Sequence, residues 1–485
     1  KIKVPPPTWC PECRLKRRLV VRNIRTLYKR KCSFSGKDIV SVYAPDSPHI
    51  IYDQHIWNSD EWDLLASGKD IDFSKPFLQQ FQELLGTSPL PSLNLINTVN
   101  SDYCSSAGNL KNCYLLFNAY EVEDGRYSEQ LYYSKNCADC DRVTKCQLCY
   151  ECLDSVGCYN SSYLYDCHNC SDSMLCYDCR NCTDCIGCVG LRNKKYHIFN
   201  EAFTKEEYEK RKRTMDLGSA SGMHEYKKTH DSLKSKIPKK YADITKSVGC
   251  TGNFIHESKN CIGCFDIFKC EHLKYATFVD ERLSDSMDMS FALNQDVSYE
   301  SLSAGLGASS LFSITAWDDQ DVRYSYNCRS SSNLFACIGL RNKQYCILNK
   351  QYTKEEYEVL VPRIIQHMND MPYVDKLGRE YRYGEFFPPE LSPFAYNETI
   401  AAEYFPLTKE EAQKQGYRWR DPDTKQYTVT KTPESLPDHI KDTDDSILKE
   451  TIGCASQSNS DAPTTVGGRS PDPMASGCTT AFRII

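Results

Sequence analysis

Two cysteines near the start of the chain have the spacing of a metal-binding pair. Cys10-x-x-Cys13 is a zinc-knuckle sequence, and two thiolates at this spacing make half of the four-ligand set of a structural zinc site. Eighteen residues separate Cys13 from Cys32, although Ser35 stands where a fourth thiolate would follow. That separation matches the distance between the two halves of such sites. We therefore predict one zinc ion, bound by Cys10, Cys13 and Cys32.

Cys478 is the candidate for the fourth zinc ligand. The run from Gly477 to Ile485 looks like the first half of a small zinc ribbon whose second half is residues 6–14. Two alternatives follow: the chain is cut inside two such ribbons, or its ends meet and Cys454 or Cys478 completes the site. The segment between these cysteines is rich in Ser, Pro, Gly and Thr, which predicts a flexible linker.

The zinc knuckle opens into a strongly basic stretch. Residues 1–40 carry twelve lysines and arginines against Glu12 and Asp38, in a chain whose net charge is −6. A basic helix beside a zinc knuckle predicts contact with nucleic-acid phosphates. The alternatives are a solvated helix face, or a basic patch that docks on the acidic body of the same chain. The side chains predicted for nucleic-acid contact are Arg14, Lys16, Arg17, Arg18, Arg22 and Arg25.

The densest cysteine region, from Cys104 to Cys188, has a strict spacing. It holds fifteen of the 27 cysteines, all separated by multiples of three, and Cys137, Cys158 and Cys179 are also 21 residues apart. Self-similarity at a fixed period is typical of solenoids. We predict a parallel β-solenoid with 21-residue coils, in which one residue in three points into a thin interior. Asn or Asp often precedes the inward residue, and both tolerate the left-handed conformation that bends a chain.

A second copy of this module follows the first. The sequence Cys-x-Gly-Leu-Arg-Asn-Lys-x-Tyr begins at Cys188 and again at Cys337, 149 residues later, and each copy leads to a capping-box helix start, at Thr204 and Thr353. The inward positions of the second copy are mostly Ser and Ala. Because a metal cluster would not survive the exchange of thiolates for Ser or Ala, we interpret the thiols as a packed core. Metal clusters and disulfides are the alternatives.

These features predict a mainly β protein of two Cys/Ser-cored solenoid modules, each closed by a helix, with a zinc-knuckle arm and an irregular C-terminal tail. The predicted segments are a basic zinc-ribbon-like arm (1–40), a small mixed α/β segment (41–100), the first module with its closing helix (101–213), a lysine-rich linker (214–249), the second module with its closing helix (250–370), a wrapping tail (371–453) and a flexible segment ending in half a zinc ribbon (454–485).

Composition and motifs narrow the function classes. The chain is 40% hydrophobic and 26% charged, as globular proteins are. It has no run of about 18 apolar residues, so we expect no membrane span. No signal peptide is visible, and we expect a cytoplasmic protein with mostly reduced thiols. The common catalytic motifs are absent: the nucleophile elbow, the phosphate-binding loop, the zinc-protease helix and the dinucleotide fingerprint.

The basic Trp9–Arg18 stretch, the Cys-rich repeats and the twin Gly-Leu-Arg-Asn-Lys boxes resemble uncharacterised Cys-rich proteins of candidate-phyla-radiation (Patescibacteria-type) bacteria. The resemblance extends over nearly the whole length, and its motifs imply no activity. Members of that family have at times carried a CaiB/BaiF-type CoA-transferase label, which would imply an α/β body with a catalytic aspartate. Neither can be placed in this sequence.

The sequence thus predicts a non-enzymatic, zinc-containing binding or scaffold protein with an unknown protein or nucleic-acid partner. The first alternative is a storage or redox protein that holds several zinc ions or iron–sulfur clusters. The second alternative is the CoA-transferase, which no motif supports.

Overall fold

The computed structural model describes residues 2, 4–101, 103–129, 135–138, 147–150, 157–421, 428–453, 455 and 481–482. Of residues 135–138, 147–150, 280 and 481–482 it describes the backbone alone. Two compact units make up the chain: unit 1 comprises Lys1–Leu93 and Lys240–Arg420, and unit 2 comprises Asn94–Lys239 and Asp421–Ile485. The predicted arm, residues 1–40, therefore belongs to the same unit as the second repeat module.

Unit 2 is built on a sheet whose strands follow one another in chain order. Its strands are β5 (Leu95–Val99), β6 (Ala107–Lys111), β7 (Tyr120–Glu123), β8 (Lys135–Ala138), β9 (Gln147–Tyr150), β10 (Ser162–Tyr165), β11 (Met174–Tyr177), β12 (Thr183–Ile186), β13 (Lys195–Ile198) and β14 (Glu201–Ala202), with a separate pair β30 (Ile452–Gly453) and β31 (Ala481–Phe482). Neighbours from β5 to β13 pair in parallel, and β14 turns back antiparallel on β13.

Unit 1 contains the second parallel sheet and several short pairs. The sheet is formed by β15 (Ile244–Thr245), β16 (Gly252–His256), β17 (Cys264–Phe268), β18 (Thr277–Ser284), β19 (Met287–Asp296), β20 (Tyr299–Leu302), β21 (Gly305–Leu311), β22 (Ile314–Trp317), β23 (Gln320–Arg323), β24 (Tyr326–Arg329), β25 (Ser332–Phe335), β26 (Gln344–Ile347) and β27 (Lys350–Gln351). The pairs are β1 (Tyr28–Lys31) with β2 (Asp38–Ser41), β3 (Ile51–Tyr52) with β4 (Leu90–Pro91), and β28 (Tyr373–Val374) with β29 (Glu380–Tyr381).

Helices make up a smaller part of both units. The α-helices are α1 (Pro11–Leu19), α2 (Gln54–Asn58), α3 (Phe77–Thr87), α4 (Lys205–Thr214), α5 (Ala220–Ser235), α6 (Lys354–Asp370), α7 (Ala401–Tyr404) and α8 (Lys409–Lys414), and 3₁₀ turns span Pro389–Leu391, Tyr396–Glu398, Pro433–Ser435, Ile440–Asp442 and Asp445–Lys449. The fold is therefore mainly β with parallel sheets, as predicted. Among the described residues, no helix is both long and apolar enough to cross a bilayer.

The predicted 21-residue coil is wrong, because consecutive strands pair at an interval of twelve. Leu95 pairs with Ala107, and Thr183 with Lys195. Unit 1 departs from this interval twice: it is eleven between β15 and β16, where Ile244 pairs with Ile255, and thirteen at the start of the β18–β19 pairing, where it returns to twelve after a bulge. Twelve and 21 are both multiples of three, so both periods keep the cysteines on the inward positions. Only the pairing between strands decides how many three-residue steps separate neighbours.

The prediction that Asn and Asp before inward residues adopt the left-handed conformation is confirmed. Positive φ recurs at every third described residue from Asn97 to Tyr127, and again from Asn160 to Asn181. Asn and Asp hold many of these positions, but Tyr163 and Leu175 have φ of 54° and 55°. A bulky residue in this region costs about 1–2 kcal/mol, so the pairing on both sides of the chain must hold the bend.

The inward side chains have a common hydrogen-bonding role. Inward cysteines such as Cys176 donate their thiol hydrogen to the carbonyl two residues earlier, here Met174 at 3.4 Å. Inward serines do the same: the Ser325 hydroxyl donates to the Arg323 carbonyl at 3.1 Å. Where the inward residue is Cys or Ser, its single donor thus bonds the bend, which explains why Cys and Ser exchange at these positions.

Both predicted closing helices are present with their capping boxes. Thr204 accepts the Glu207 N–H, and Thr353 accepts the Glu356 N–H, each at 3.2 Å, while each glutamate reaches back to the threonine N–H. Within the predicted 214–249 linker, α5 occupies Ala220–Ser235. Ser219 caps α5 by accepting the Gly222 N–H at 3.0 Å.

Candidate metal centre and the basic helix

The predicted zinc pair lies at the first turn of α1. Cys10 is the N-cap residue, with ψ of 158°, and proline follows it at the first helical position, where the missing N–H costs nothing. The Arg14 N–H donates to the Cys10 carbonyl at 3.0 Å, which begins the helix. Cys13 lies one turn later, so the two side chains share one side of the helix start.

The two thiols are exposed and touch each other. Hydrogen bonds from the backbone and thiol of Cys13 lower the pKa of Cys10, whereas burial and the contact with Cys10 raise the pKa of Cys13. Cys10 is thus the sulfur that ionises first. Two sulfurs at the surface, at this spacing, can bind one zinc ion as neighbouring ligands.

Exposure separates this pair from every other cysteine whose side chain the structure describes. Cys250 is half-buried, and the remaining cysteines of that set are buried. Most of these buried thiols donate to a carbonyl two residues earlier, and Cys182, for example, does so to Arg180 at 3.4 Å. Cys10 and Cys13 are therefore the described thiols that an ion from solvent reaches without opening the fold.

Cys32 does not join them. It is buried beside the β1–β2 turn, where its sulfur accepts the N–H groups of Ser35 at 3.4 Å and Asp53 at 3.2 Å. Burial alone would raise the pKa of Cys32, but these hydrogen bonds lower it. Across the part of the chain that the structure describes, no group of three or more His, Cys, Asp or Glu side chains is arranged to hold a metal ion. Cys478 and Cys454 lie outside the described residues.

The three arginines of the basic helix are buried, whereas nucleic-acid contact would need them exposed. Arg14 and Arg18 point into unit 1 and are 3% and 0% exposed. Arg14 pairs with Asp288 at 2.8 Å, and the Arg18 guanidinium lies 3.3 Å from the same carboxylate. Arg17 binds Glu300 at 2.6 Å and Glu385 at 2.8 Å. Of the alternatives weighed from the sequence, docking on the chain's own acidic residues describes this geometry.

Burial and pairing oppose each other in this cluster. Burial acts to lower the pKa of Arg17, but Glu300 and Glu385 together raise it. Burial lowers the pKa of Arg18 and raises that of Glu300, although Arg17 and Arg18 partly offset the shift of the glutamate. The arginine–carboxylate cluster therefore fixes α1 against β19 and β20, and it sets the direction in which Cys10 and Cys13 face.

The other three predicted nucleic-acid contacts also have partners in unit 1. The Lys16 ammonium group donates to Gln415 at 2.8 Å and lies over the Tyr417 ring. Arg22 stacks on Phe291 at 4.2 Å, and Arg25 pairs with Glu403 at 3.0 Å in a half-exposed ion pair. The six predicted side chains thus form no free basic face. The partners Asp288, Glu300 and Glu385 were missed, since only the acidic surplus outside the first forty residues hinted at them.

A second group of sulfurs lies inside unit 2. Eight buried cysteines contact one another in a continuous cluster: Cys158, Cys167, Cys170, Cys176, Cys179, Cys182, Cys185 and Cys188. Contacts with neighbouring thiols lower the pKa of Cys188 to about 4 and raise that of Cys185. A metal-storage or redox role would depend on this density of sulfur, although no three of these described side chains are arranged to hold a metal ion.

Comparisons with known proteins do not identify a family or an activity for this chain. No protein-family model matches the chain, and no curated protein does. Among solved structures it is similar to a putative acetyltransferase from Desulfovibrio desulfuricans G20, with 10% sequence identity and a TM-score of 0.12, over 61% of this chain and 84% of that one. A TM-score this low carries no argument about fold or activity.

Proposed function

We propose that this chain is a non-enzymatic binding scaffold that presents one zinc ion at Cys10 and Cys13. The observation that carries the proposal is the division of the cysteines. One pair is exposed at the start of a firmly anchored helix, while the rest of the described thiols are half-buried or buried. The anchored helix holds the two thiols in fixed positions. Such fixed ligands suit a structural zinc site, in which four protein ligands surround the ion. The remaining ligands come from outside this pair.

Metal analysis of the full chain tests the zinc site. We expect about one zinc ion per chain, lost in Cys10→Ser and in Cys13→Ser. Cys32→Ser is the informative third variant, because its sulfur already accepts two N–H groups and we expect zinc to be retained. Cys170→Ser is the matched control from the buried cluster. A chain purified without zinc, or one whose zinc survives both Cys10→Ser and Cys13→Ser, would rule the site out.

We further propose that each parallel sheet winds as a solenoid of four three-residue steps per coil. The twelve-residue pairing interval and the left-handed residue at every third position support it. Carbodiimide cross-linking with mass spectrometry tests the interval. Lys111 and Glu123, twelve residues apart, form an exposed ion pair of 2.8 Å, and we expect a direct amide link between them. Failure of that link in the folded chain would contradict the twelve-residue coil.

The favoured partner is a protein. All six side chains predicted for nucleic-acid contact already have partners in unit 1, and nucleic-acid binding through them stays a prediction. A titration with labelled single-stranded RNA at rising salt tests it, because phosphate contacts give strongly salt-dependent affinity. An RNA affinity that is lower in Lys16→Ala and Arg25→Ala than in the native chain would support the nucleic-acid role.

The second candidate is a protein that stores several metal ions in the eight-cysteine cluster. Its support is the sulfur contacts, and against it stand the thiol hydrogens, which many of these cysteines donate to backbone carbonyls. A metal ion would have to displace those protons. Several equivalents of zinc or iron per chain, unaffected by Cys10→Ser, would favour storage over the scaffold.

A further inference from the structure

Asp319 lies in the interior of unit 1, at a position of the kind that serine or cysteine fills elsewhere. It is 1% exposed and follows the left-handed residue Asp318, as inward residues do. The residue at the same place in the first module, 149 positions earlier, is Cys170, and the residue twelve positions later in unit 1 is Ser331. Gly307, twelve positions earlier, has no side chain.

Both counterparts of Asp319 donate a hydrogen bond at the bend. The Cys170 thiol donates to the His168 carbonyl at 3.5 Å, and the Ser331 hydroxyl donates to the Arg329 carbonyl at 2.8 Å. The residue two positions before Asp319 is Trp317. An ionised carboxylate has no hydrogen to donate, so only a neutral Asp319 could serve its bend in the same way.

One of the two oxygens of the Asp319 carboxyl group has a hydrogen-bond partner among the described residues. Its Oδ1 accepts the Ser331 N–H at 2.8 Å, just as serine hydroxyls accept the N–H of the residue twelve positions later. Its Oδ2 is buried with no hydrogen-bond partner among the described residues. A buried carboxylate oxygen without a partner is costly, and a proton on that oxygen removes the cost.

The groups that face Asp319 do not neutralise its charge. Burial is the largest influence and raises the pKa of Asp319 to about 7, and the charge of Asp318 acts in the same direction. The hydrogen bond from the Ser331 N–H, the contact with the Trp317 backbone and the charge of Arg329 lower the pKa but do not outweigh burial. Arg329 lies beside the Trp57 ring, 5.6 Å from the centroid. Two buried thiols also face the carboxyl group, those of Cys328 and Cys337.

We propose that Asp319 is neutral in the folded chain and donates its proton to the Trp317 carbonyl, so that its ionisation loosens the second module. The residue then acts as a serine whose donor can be removed by pH. This device is independent of zinc and of any partner. It makes unit 1 sensitive to the pH range in which the carboxyl group changes charge.

The direction of the effect follows from the raised pKa. The folded chain holds this proton more tightly than the unfolded chain, whose aspartates ionise near pH 4. The contribution of Asp319 to stability is therefore full below about pH 4, falls as the pH rises to about 7, and stays low above. Between about pH 5 and pH 8 we expect this residue alone to lower the folded-to-unfolded ratio about a hundredfold.

Denaturant unfolding of the full chain at these two pH values tests the proposal. In Asp319→Ser we expect this loss to disappear, because the hydroxyl keeps a donor at every pH. Asp319→Asn, a neutral isostere, should also lose the pH dependence. Asp296→Asn is the matched control, since Asp296 is an exposed aspartate of the same sheet, bonded to Ser284 and without influence on Asp319, and it should behave as the native chain does.

A titration observed by NMR, with ¹³C-labelled aspartate carboxyl groups, reads the residue directly in the native chain. We expect one signal to titrate near neutral pH and to be missing from Asp319→Asn. The proposal is overturned if all aspartates titrate near pH 4. It is also overturned if Asp319→Ser or Asp319→Asn keeps the full pH dependence. Should Asp319→Ser fail to fold, the pH dependence of Asp319→Asn and the NMR titration of the native chain test the proposal instead.

Discussion

Arg17 and Glu300 form an ion pair of 2.6 Å in which the arginine side chain is 1% exposed and the glutamate is fully buried. The two residues are 283 positions apart in the chain. Glu385 binds the other nitrogen of the same guanidinium group. These ion pairs anchor α1, whose N-cap residue is Cys10. Arg17 was predicted to lie on the surface and contact nucleic acid, but it is buried and paired with two carboxylates.

Removal of either charge from this pair should destabilise unit 1 strongly. Arg17→Met leaves two buried carboxylates without their cation, and we expect a loss of about 3–5 kcal/mol in the free energy of unfolding. Chemical denaturation of the full chain measures it. Arg25→Met is the matched control, since Arg25 and Glu403 form a half-exposed pair, for which we expect about 0–1 kcal/mol. Equal losses in the two variants would refute the interior role of Arg17.

Six residues after each of the twin Gly-Leu-Arg-Asn-Lys boxes, an asparagine side chain bonds both backbone groups of the residue eleven positions earlier, a contact called the clasp below. Asn349 accepts the Ile338 N–H at 2.7 Å and donates to the Ile338 carbonyl at 2.8 Å, and Asn200 does the same with Val189, at 2.9 Å for both bonds. Asn349 is buried, with 1% exposure, while Asn200 is half-buried.

Glycine substitution keeps the left-handed backbone and deletes the clasp. We expect Asn349→Gly to cost about 1–3 kcal/mol, because it leaves a buried N–H and carbonyl unpaired. Asn200→Gly should cost less, since water reaches the exposed side of that clasp. Thermal unfolding of the two variants side by side measures the difference. A larger loss at Asn200 would contradict the burial argument.

The exchange of sulfur for oxygen in the core can be tested at Cys176. Its counterpart in the second module is Ser325, and both side chains donate to the carbonyl two residues earlier. Cys176→Ser keeps the donor, whereas Cys176→Val removes it and leaves a buried carbonyl with one bond fewer. We expect the valine variant to be less stable than the serine variant by about 1 kcal/mol.

Equilibrium unfolding under reducing conditions gives this comparison, and Ser325→Cys is the reverse control, for which we expect little change. If the serine variant were as unstable as the valine variant, the hydrogen-bond donor role of Cys176 would be contradicted. The result would then support the metal-storage alternative.

Acid should weaken the turn around Asp375. Its carboxylate accepts the N–H groups of Leu377 and Arg379, each at 2.9 Å, and pairs with the Arg379 side chain at 2.5 Å. Burial acts to raise the pKa of Asp375, but these bonds lower it below the usual value. A lowered pKa means that the stabilisation is present above about pH 4 and is lost as the pH falls through the folded value.

We therefore expect Asp375→Asn to be less stable at neutral pH and to show a shallower loss of stability in acid. Tyr381→Phe removes only one donor, the hydroxyl at 3.1 Å, and should keep most of the acid dependence. Denaturant unfolding at neutral and acid pH measures both variants. An unchanged acid slope in Asp375→Asn would contradict the assignment.

Local features were predicted well because local chemistry determines them. Thr204 and Thr353 begin helices since each has a glutamate three residues later to complete the box. The inward cysteines were identified because they recur at multiples of three residues, and Asn or Asp, which tolerate the left-handed conformation, often precede them. The pairing interval was missed, since 12 and 21 are both multiples of three and no local preference separates them.

The sequence by itself determined the three-residue step, the inward positions, the closing helices and the presence of two related modules. Each depends on residues within a few positions of one another. Only the tertiary structure decided the pairing interval, the burial of Arg17 and Arg18, and the separation of Cys32 from the Cys10 pair. Those outcomes depend on contacts between residues far apart in the chain, such as Arg17 with Glu300. The charge and spacing of residues in the sequence do not show which distant carboxylate a given arginine will pair with in the buried interior.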